Sequence, residues 1–116
     1  MSVNKVILIG RLGRDPELRQ TSTGTSVVNF SIATTAYWKD KEDSSKKHEK
    51  TQWHRIVAWG KTAELAGKFL TKGRECYVEG RIESRDYQNK DDQTIYVTEI
   101  IADKIQFLGG KPDKES

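Results

Sequence analysis

The segment TQWHRIVAWGK, residues 51–61, decides the fold and points to a function. If it forms a strand, its side chains alternate between two faces. On the even face, Ile56 and Ala58 can serve a small core. The odd face carries Trp53, Arg55 and Trp59, so two aromatic rings and a cation are predicted to point away from that core.

This odd face is interpreted as a binding surface. Tryptophans are usually buried, so a barrel that closes around each ring is the competing interpretation. Burial is a weaker explanation for Trp53 and Trp59 together, because Arg55 shares their face and the opposite face already supplies the core. Bases of a flexible strand stack on aromatic rings whatever their identity, and an arginine meets phosphate or stacks in turn. The pattern therefore favours single-stranded nucleic acid as the ligand.

Length and composition limit the possible classes of protein. The 116 residues predict one domain over residues 1–109 and a short polar tail over residues 110–116. No apolar run is long enough for a membrane helix or a signal peptide, which favours a cytoplasmic address. The net charge of +3 is too small to indicate nucleic acid by itself. The single cysteine, Cys76, cannot form an intrachain disulfide, which fits a reducing compartment.

Alternation elsewhere predicts an all-β fold. Four further strands are predicted, at VILI (residues 6–9), SVVNFSIATTAYW (26–38), RECYVEGRIESRDY (74–87) and TIYVTEIIADKIQFLGG (94–110). One helix is predicted over KTAELAGKFLTKG (61–73), with Thr62 as its N-cap, Lys72 in its last turn and Gly73 as its C-cap. Five strands with one helix between the third and fourth is the element order of the OB-fold, a Greek-key β-barrel.

Three local patterns give finer predictions. The polar segment 39–50 is predicted to be a mobile loop or the tip of a long hairpin. Alternation in the fourth strand turns Cys76, Val78, Gly80 and Ile82 inward. The VILI strand is apolar on both faces, so a second subunit is the economical cover, and Val6 and Leu8 are predicted at a subunit interface.

Catalysis and metal binding have no candidate residues. The two histidines, His48 and His54, and the one cysteine have no spacing typical of a zinc site. Gly10 and Gly13 are not followed by a helix that could cradle a phosphate. The sequence therefore predicts no enzyme activity, metal or cofactor, and His54 is interpreted as a core or interface residue.

Several motifs, in order and with compatible spacing, resemble the bacterial and mitochondrial-type single-stranded DNA-binding protein. They are NKVILIGRLGRDPELR near the start, QWHRIVAWGK in the third strand, the KG that ends the helix, and VEGRIESRDY in the fourth strand. The similarity runs from about residue 3 to residue 109. It implies an OB-fold homotetramer that binds and protects single-stranded DNA, without strong sequence preference, in DNA replication, recombination and repair.

The resemblance also implies roles for individual residues. It places base stacking on Trp38, Trp53, Trp59 and Tyr87, and phosphate contacts on Arg55, Lys61, Lys72 and Arg85. It places His54 and Tyr77 at the subunit interface; the residues around Tyr77 allow either a ligand platform or a subunit contact. Glu83 stands where a basic residue is common in the family, which removes one expected phosphate contact.

Partners and alternative functions complete these expectations. Members of the family usually carry a tail with an acidic tip that recruits replication and repair enzymes, whereas this sequence ends in GGKPDKES. Such partners are expected only if an acidic tip exists beyond this chain. Two other functions stay open: an RNA-binding OB module with the same aromatic platforms, and a protein-docking OB-fold that would bury Trp53 and Trp59 in a partner.

Overall fold

The computed structural model describes residues 2–109, which form six strands and one helix. The elements are β1 (Val6–Leu12), β2 (Glu17–Gln20), β3 (Ser26–Lys39), β4 (Lys47–Trp59), α1 (Gly60–Phe69), β5 (Glu75–Gln88) and β6 (Thr94–Leu108). The predicted polar tail, residues 110–116, lies outside the described residues. Within the described part of the chain, no helix has the length and apolar character needed to cross a membrane.

Five of the strands close into a barrel. The sheet order is β1-β5-β6-β4-β3, and β1 also pairs with β3, which completes the ring. Helix α1 lies between β4 and β5 in the chain, so the predicted all-β OB-fold is confirmed. The structure adds β2, a short strand that extends the sheet from β3 outside the ring.

Two of the pairings that close the ring are short. The β1–β3 pairing holds Arg11 opposite Ala33 and Leu12 opposite Ile32. The parallel β4–β6 pairing, which we call the β4–β6 seam, holds Ile56 opposite Ile100 and residue 57 opposite residue 101. The barrel thus consists of a β2-β3-β4 half and a β1-β5-β6 half, joined by these two narrow pairings.

The core follows the predicted alternation of β3 and β4. Ile56 and Ala58 are fully buried and pack with Val28 and Ile32 of β3. On the other face of β4, Trp53 and Trp59 are 59% and 49% exposed. The period-2 interpretation of this segment is therefore correct.

The two faces of β1 have different surroundings within the single chain. Val6 and Leu8, predicted at a subunit interface, pack against the core of their own barrel. Ile7 and Ile9 carry the exposed apolar surface instead, at 56% and 51%. The sequence of this strand does not show which face is turned inward, because four consecutive apolar residues give no contrast between a polar and an apolar face.

Helix α1 begins earlier than predicted, and Thr62 is not its N-cap. β4 turns directly into the helix at Gly60, whose φ of 64° is available to glycine at little cost, and Trp59 is the capping residue without a side-chain hydrogen bond. The helix ends at Phe69, so Lys72 lies beyond its last turn. Gly73 has the predicted positive φ, but it stands in the turn that leads to β5, where its N–H donates to the carbonyl of Leu12.

The two long hairpins extend beyond the barrel. Pairing of β3 with β4 runs without interruption from Val27–Trp59 to Lys39–Lys47, so the polar segment 39–50 forms the end and tip of a hairpin. In β5, the pairing with β1 reaches only Gly80, and Ile82 is therefore exposed rather than turned into the core as predicted.

Candidate nucleic-acid interface

A groove runs across the β4–β6 seam on the odd face of β4. Two adjoining cavities of about 400 and 550 Å³ form it, and they share Arg19, Asn29, Arg85 and Glu99 in their walls. The first is also lined by Arg55, and the second by Trp59. Strands from both halves of the barrel therefore contribute to one concave surface, which we call the seam groove.

Trp53 owes its position beside the groove to a residue without a side chain. Its ring lies over Gly13, so closely that a Cβ atom at Gly13 would be 2.7 Å from Cη2 and Cζ3 of the ring. Trp53 pairs across the sheet with Ala33, whose small side chain also leaves room. The ring is thus supported from below while most of its surface faces solvent, which suits a stacking platform.

Arg85, predicted as a phosphate contact, is already paired in the structure. Its Nε–H donates to Oε1 of Glu99 at 3.1 Å, and its Nη2–H donates to Oε2 at 3.2 Å. Glu99 is only 6% exposed, although it lies on the groove side of β6. The hydrogen bonds that Arg85 donates to this carboxylate raise the pKa of Arg85 above its ordinary value. The guanidinium is therefore held in place and its charge is compensated.

Free cations in the groove come partly from residues that the sequence analysis missed. Arg14 and Arg19 line the first cavity beside Arg55. Among residues 2–109, none of these three arginines has a carboxylate within 4.0 Å. Arg14 and Arg19 lie around β2, the strand that the pattern did not reveal, and only their basic character in GRDPELRQ could have singled them out.

The aromatic residues at the strand tips fall on different faces. Tyr87 lies on the same face of β5 as Arg85, because the two are separated by one residue. Trp38 pairs with His48, and it therefore lies on the opposite face of the hairpin from Trp53. The Trp38 and His48 rings stack, with centroids 5.6 Å apart. The exposed aromatic residue of β3 on the Trp53 face is Tyr37, which the sequence analysis did not consider.

The predicted lysines lie outside the walls of the two groove cavities. Lys61 is exposed in the first turn of α1. Lys72 is exposed in the turn after α1, where its backbone N–H donates to Oδ1 of Asp15 at 2.8 Å. Phosphate contact by these two lysines stays a prediction.

The predicted interface residues occupy two separate places. Nε2 of His54 lies 2.8 Å from Oγ1 of Thr34 on the even face of β4. The Tyr77 hydroxyl donates to Oε1 of Glu79 at 2.8 Å, and Lys5 binds the other oxygen of the same carboxylate at 2.7 Å. Ile9 is the cross-strand partner of Tyr77, so a mixed polar and apolar surface covers the outside of β1 and β5.

The part of the chain that the structure describes contains no cluster of potential metal ligands. No three His, Cys, Asp or Glu side chains come together there in a way that could hold an ion. Cys76 is fully buried, and burial raises the pKa of its thiol to about 11. It is therefore a core residue rather than a nucleophile.

The closed five-stranded barrel with one helix between β4 and β5 defines an OB-fold protein, and a groove lined by four arginines and Trp59 crosses its strands. Comparison with known families is more specific: the model of the single-strand binding protein family matches residues 3–108. The chain belongs to this family.

Individual relatives agree with this assignment. Single-stranded DNA-binding protein 1 of Xylella fastidiosa strain 9a5c is 50% identical over 97% of this chain and 82% of its own. The single-stranded DNA-binding protein of Neisseria meningitidis serogroup A is 50% identical over 96% of this chain, which spans 63% of that protein's length. A solved structure of the Plasmodium falciparum protein in complex with single-stranded DNA superposes with a TM-score of 0.86 at 36% identity, covering 94% of this chain and 97% of that one.

Proposed function

We propose that this protein binds single-stranded DNA with little sequence preference. The observation that carries the proposal is the odd face of β4, where the exposed rings of Trp53 and Trp59 lie on either side of Arg55 beside the seam groove. Bases stack on the rings, and free arginines of the groove meet phosphates. The single-strand complex of the Plasmodium relative supports the choice of ligand.

The same geometry disfavours duplex DNA. In a duplex the bases are paired and stacked on each other, so their faces cannot reach Trp53 or Trp59. A single strand can splay its bases onto the rings while its backbone follows the cations. We therefore propose that the protein covers and protects exposed single strands in the cytoplasm during DNA replication, recombination and repair.

Tryptophan fluorescence tests this proposal without a label. Oligo(dT) should quench the fluorescence, duplex of the same length should not, and the affinity should fall as salt rises, because binding releases counterions. Absence of quenching by both ligands would favour a protein-docking function for this face. Competition between matched DNA and RNA strands completes the test, since tighter binding of RNA would contradict the choice of DNA.

Substitution of one platform locates the binding face. Trp53→Ala should weaken binding by about 1–3 kcal/mol on every base sequence, because stacking is sequence-tolerant. Tyr96→Ala is the matched control, because Tyr96 is an exposed aromatic residue of the β5–β6 hairpin. It pairs with Asp86, the neighbour of Arg85 in β5, and therefore lies on the face opposite to Arg85. Normal binding by the Trp53 variant would remove the central residue of the proposal.

Assembly is proposed separately. We infer a homotetramer in which the outer face of β1, with Ile7 and Ile9, is covered by a second subunit beside Tyr77. Light scattering at micromolar concentration should give a mass four times that of the 13.2 kDa chain. Ile9→Asp should lower this mass, and a wild-type mass near 13.2 kDa would contradict the proposal.

A further inference from the structure

The Arg85–Glu99 pair is unusual among the ion pairs of residues 2–109. In every other pair the acidic partner is at least 26% exposed, whereas the Glu99 side chain is 8% exposed. Both of its oxygens accept from the same guanidinium. A carboxylate buried in this way is stabilised by its partner, and the pair carries no net charge.

The pair differs from the other arginines of the seam groove. Asp15 and Glu17 line the same cavity as Arg14, Arg19 and Arg55, but no carboxylate among residues 2–109 lies within 4.0 Å of these three arginines, so a phosphate would meet a cation without an ion-pair partner. At Arg85 it would meet a cation that is already compensated by a carboxylate about one hydrogen bond away. A phosphate therefore gains less electrostatic free energy at Arg85 than at its neighbours.

A base can still use the surface that Arg85 presents. The Arg85 side chain is 55% exposed, and Glu99 occupies only two of its N–H donors. The side chain lines both cavities of the seam groove, so a base in the groove can reach it. Arginine planes stack on nucleic-acid bases, and such stacking does not depend on the release of counterions.

We propose that Glu99 holds Arg85 as a charge-compensated planar platform for a base, while phosphate contacts fall on Arg14, Arg19 and Arg55. This inference rests on the proposed binding of single-stranded DNA. It adds Glu99, the one buried acidic residue among those that line the groove, as the residue that positions Arg85.

Arg85→Lys tests the proposal with the charge unchanged. Lysine keeps an ion pair with Glu99 but has no planar face, so affinity for oligo(dT) should fall about two- to fivefold, with an unchanged slope of log K against log salt. The matched control is Arg81→Lys on the same strand, where Arg81 pairs with Glu83 and Asp103; its affinity should not change. A phosphate contact would tolerate lysine, so wild-type affinity of Arg85→Lys overturns the proposal.

Glu99→Gln provides the complementary test. It releases the charge of Arg85 to the DNA, so the salt slope should steepen by about 0.7, the value for one additional phosphate of a single strand. If Glu99→Gln folds and its salt slope is unchanged, the proposal is overturned. If Glu99→Gln does not fold, the affinity of Arg85→Lys is the deciding measurement. Failure of the wild-type protein to bind oligo(dT) would instead refute the proposed function itself, and this inference with it.

Discussion

Gly13 supports the ring of Trp53, and Gly13→Ala tests whether that support sets the affinity for DNA. The added Cβ would lie 2.7 Å from two ring atoms. Carbon atoms in van der Waals contact are separated by about 3.5–4.0 Å, so the ring must move by about 1 Å. Gly13 has no positive φ, so alanine brings no backbone strain and the change falls on the ring.

The magnitude follows from this displacement. A gap of 0.5–1 Å removes about a quarter to a half of a van der Waals contact. A base stacked on an aromatic ring contributes about 1–3 kcal/mol. The expected loss is therefore about 0.3–1.5 kcal/mol, or about a two- to tenfold weaker Kd.

A double-mutant cycle measures the effect. Oligo(dT) is titrated against the wild-type protein, Gly13→Ala, Trp53→Ala and the double variant, with Trp38 and Trp59 as remaining fluorophores. Because the alanine acts through the ring, it should weaken binding in the wild-type background and have no further effect in the Trp53→Ala background. Wild-type affinity of Gly13→Ala, or an equal loss in both backgrounds, would refute the reasoning. Thermal unfolding of each variant checks that the barrel is intact.

Three further predictions concern the barrel itself. Gly80→Ala should lower the free energy of unfolding in urea by about 1–3 kcal/mol or more, because a Cβ at this β-bulge would overlap the backbone carbonyl of Ile101; wild-type stability would contradict this. The Cys76 thiol, whose pKa burial raises to about 11, should react with a thiol-specific disulfide reagent at about pH 8 only as the protein unfolds, and rapid reaction of the native protein would contradict its burial. The hydrogen bond from Lys5 lowers the pKa of Glu79 below its ordinary 4.5, so the stability that this carboxylate contributes is complete above that pH and is lost as the pH falls through the lowered pKa. Glu79→Gln should reduce the decrease of the unfolding free energy at acid pH. An unchanged decrease would show that other groups cause it.

Alternation predicted the parts of the site that lie on strands with mixed polarity. Ile56 marks the core side of β4, so Trp53 and Trp59 are assigned to the groove side without any further information. The face of Trp38 was not predicted: its pairing with His48 in the structure places it opposite to Trp53. In β1, where Val6 and Ile7 are equally apolar, the rule has no polar residue to orient it.

Other features depend on contacts that no local pattern contains. Glu99 reads as one more acidic residue of an acidic segment, and its role appears only when β6 brings it to Arg85 across the sheet. The start of α1 depends on the turn at Gly60, whose positive φ lets β4 run directly into the helix before Thr62. Sequence reasoning therefore recovered the barrel and its aromatic face, and long-range pairing determined which charges are free.

The narrow β4–β6 seam has a consequence for motion within the barrel. With only two residue pairs in parallel register, it is a place where the two halves can separate locally while each half keeps its own hydrogen-bonded ladder. Amides of Ile56 and Ile100 should exchange with solvent through this local opening. A strand of DNA that contacts Arg55 on one half and Arg85 on the other would connect the two halves across the seam. DNA binding should therefore slow this amide exchange and raise the temperature at which the barrel unfolds.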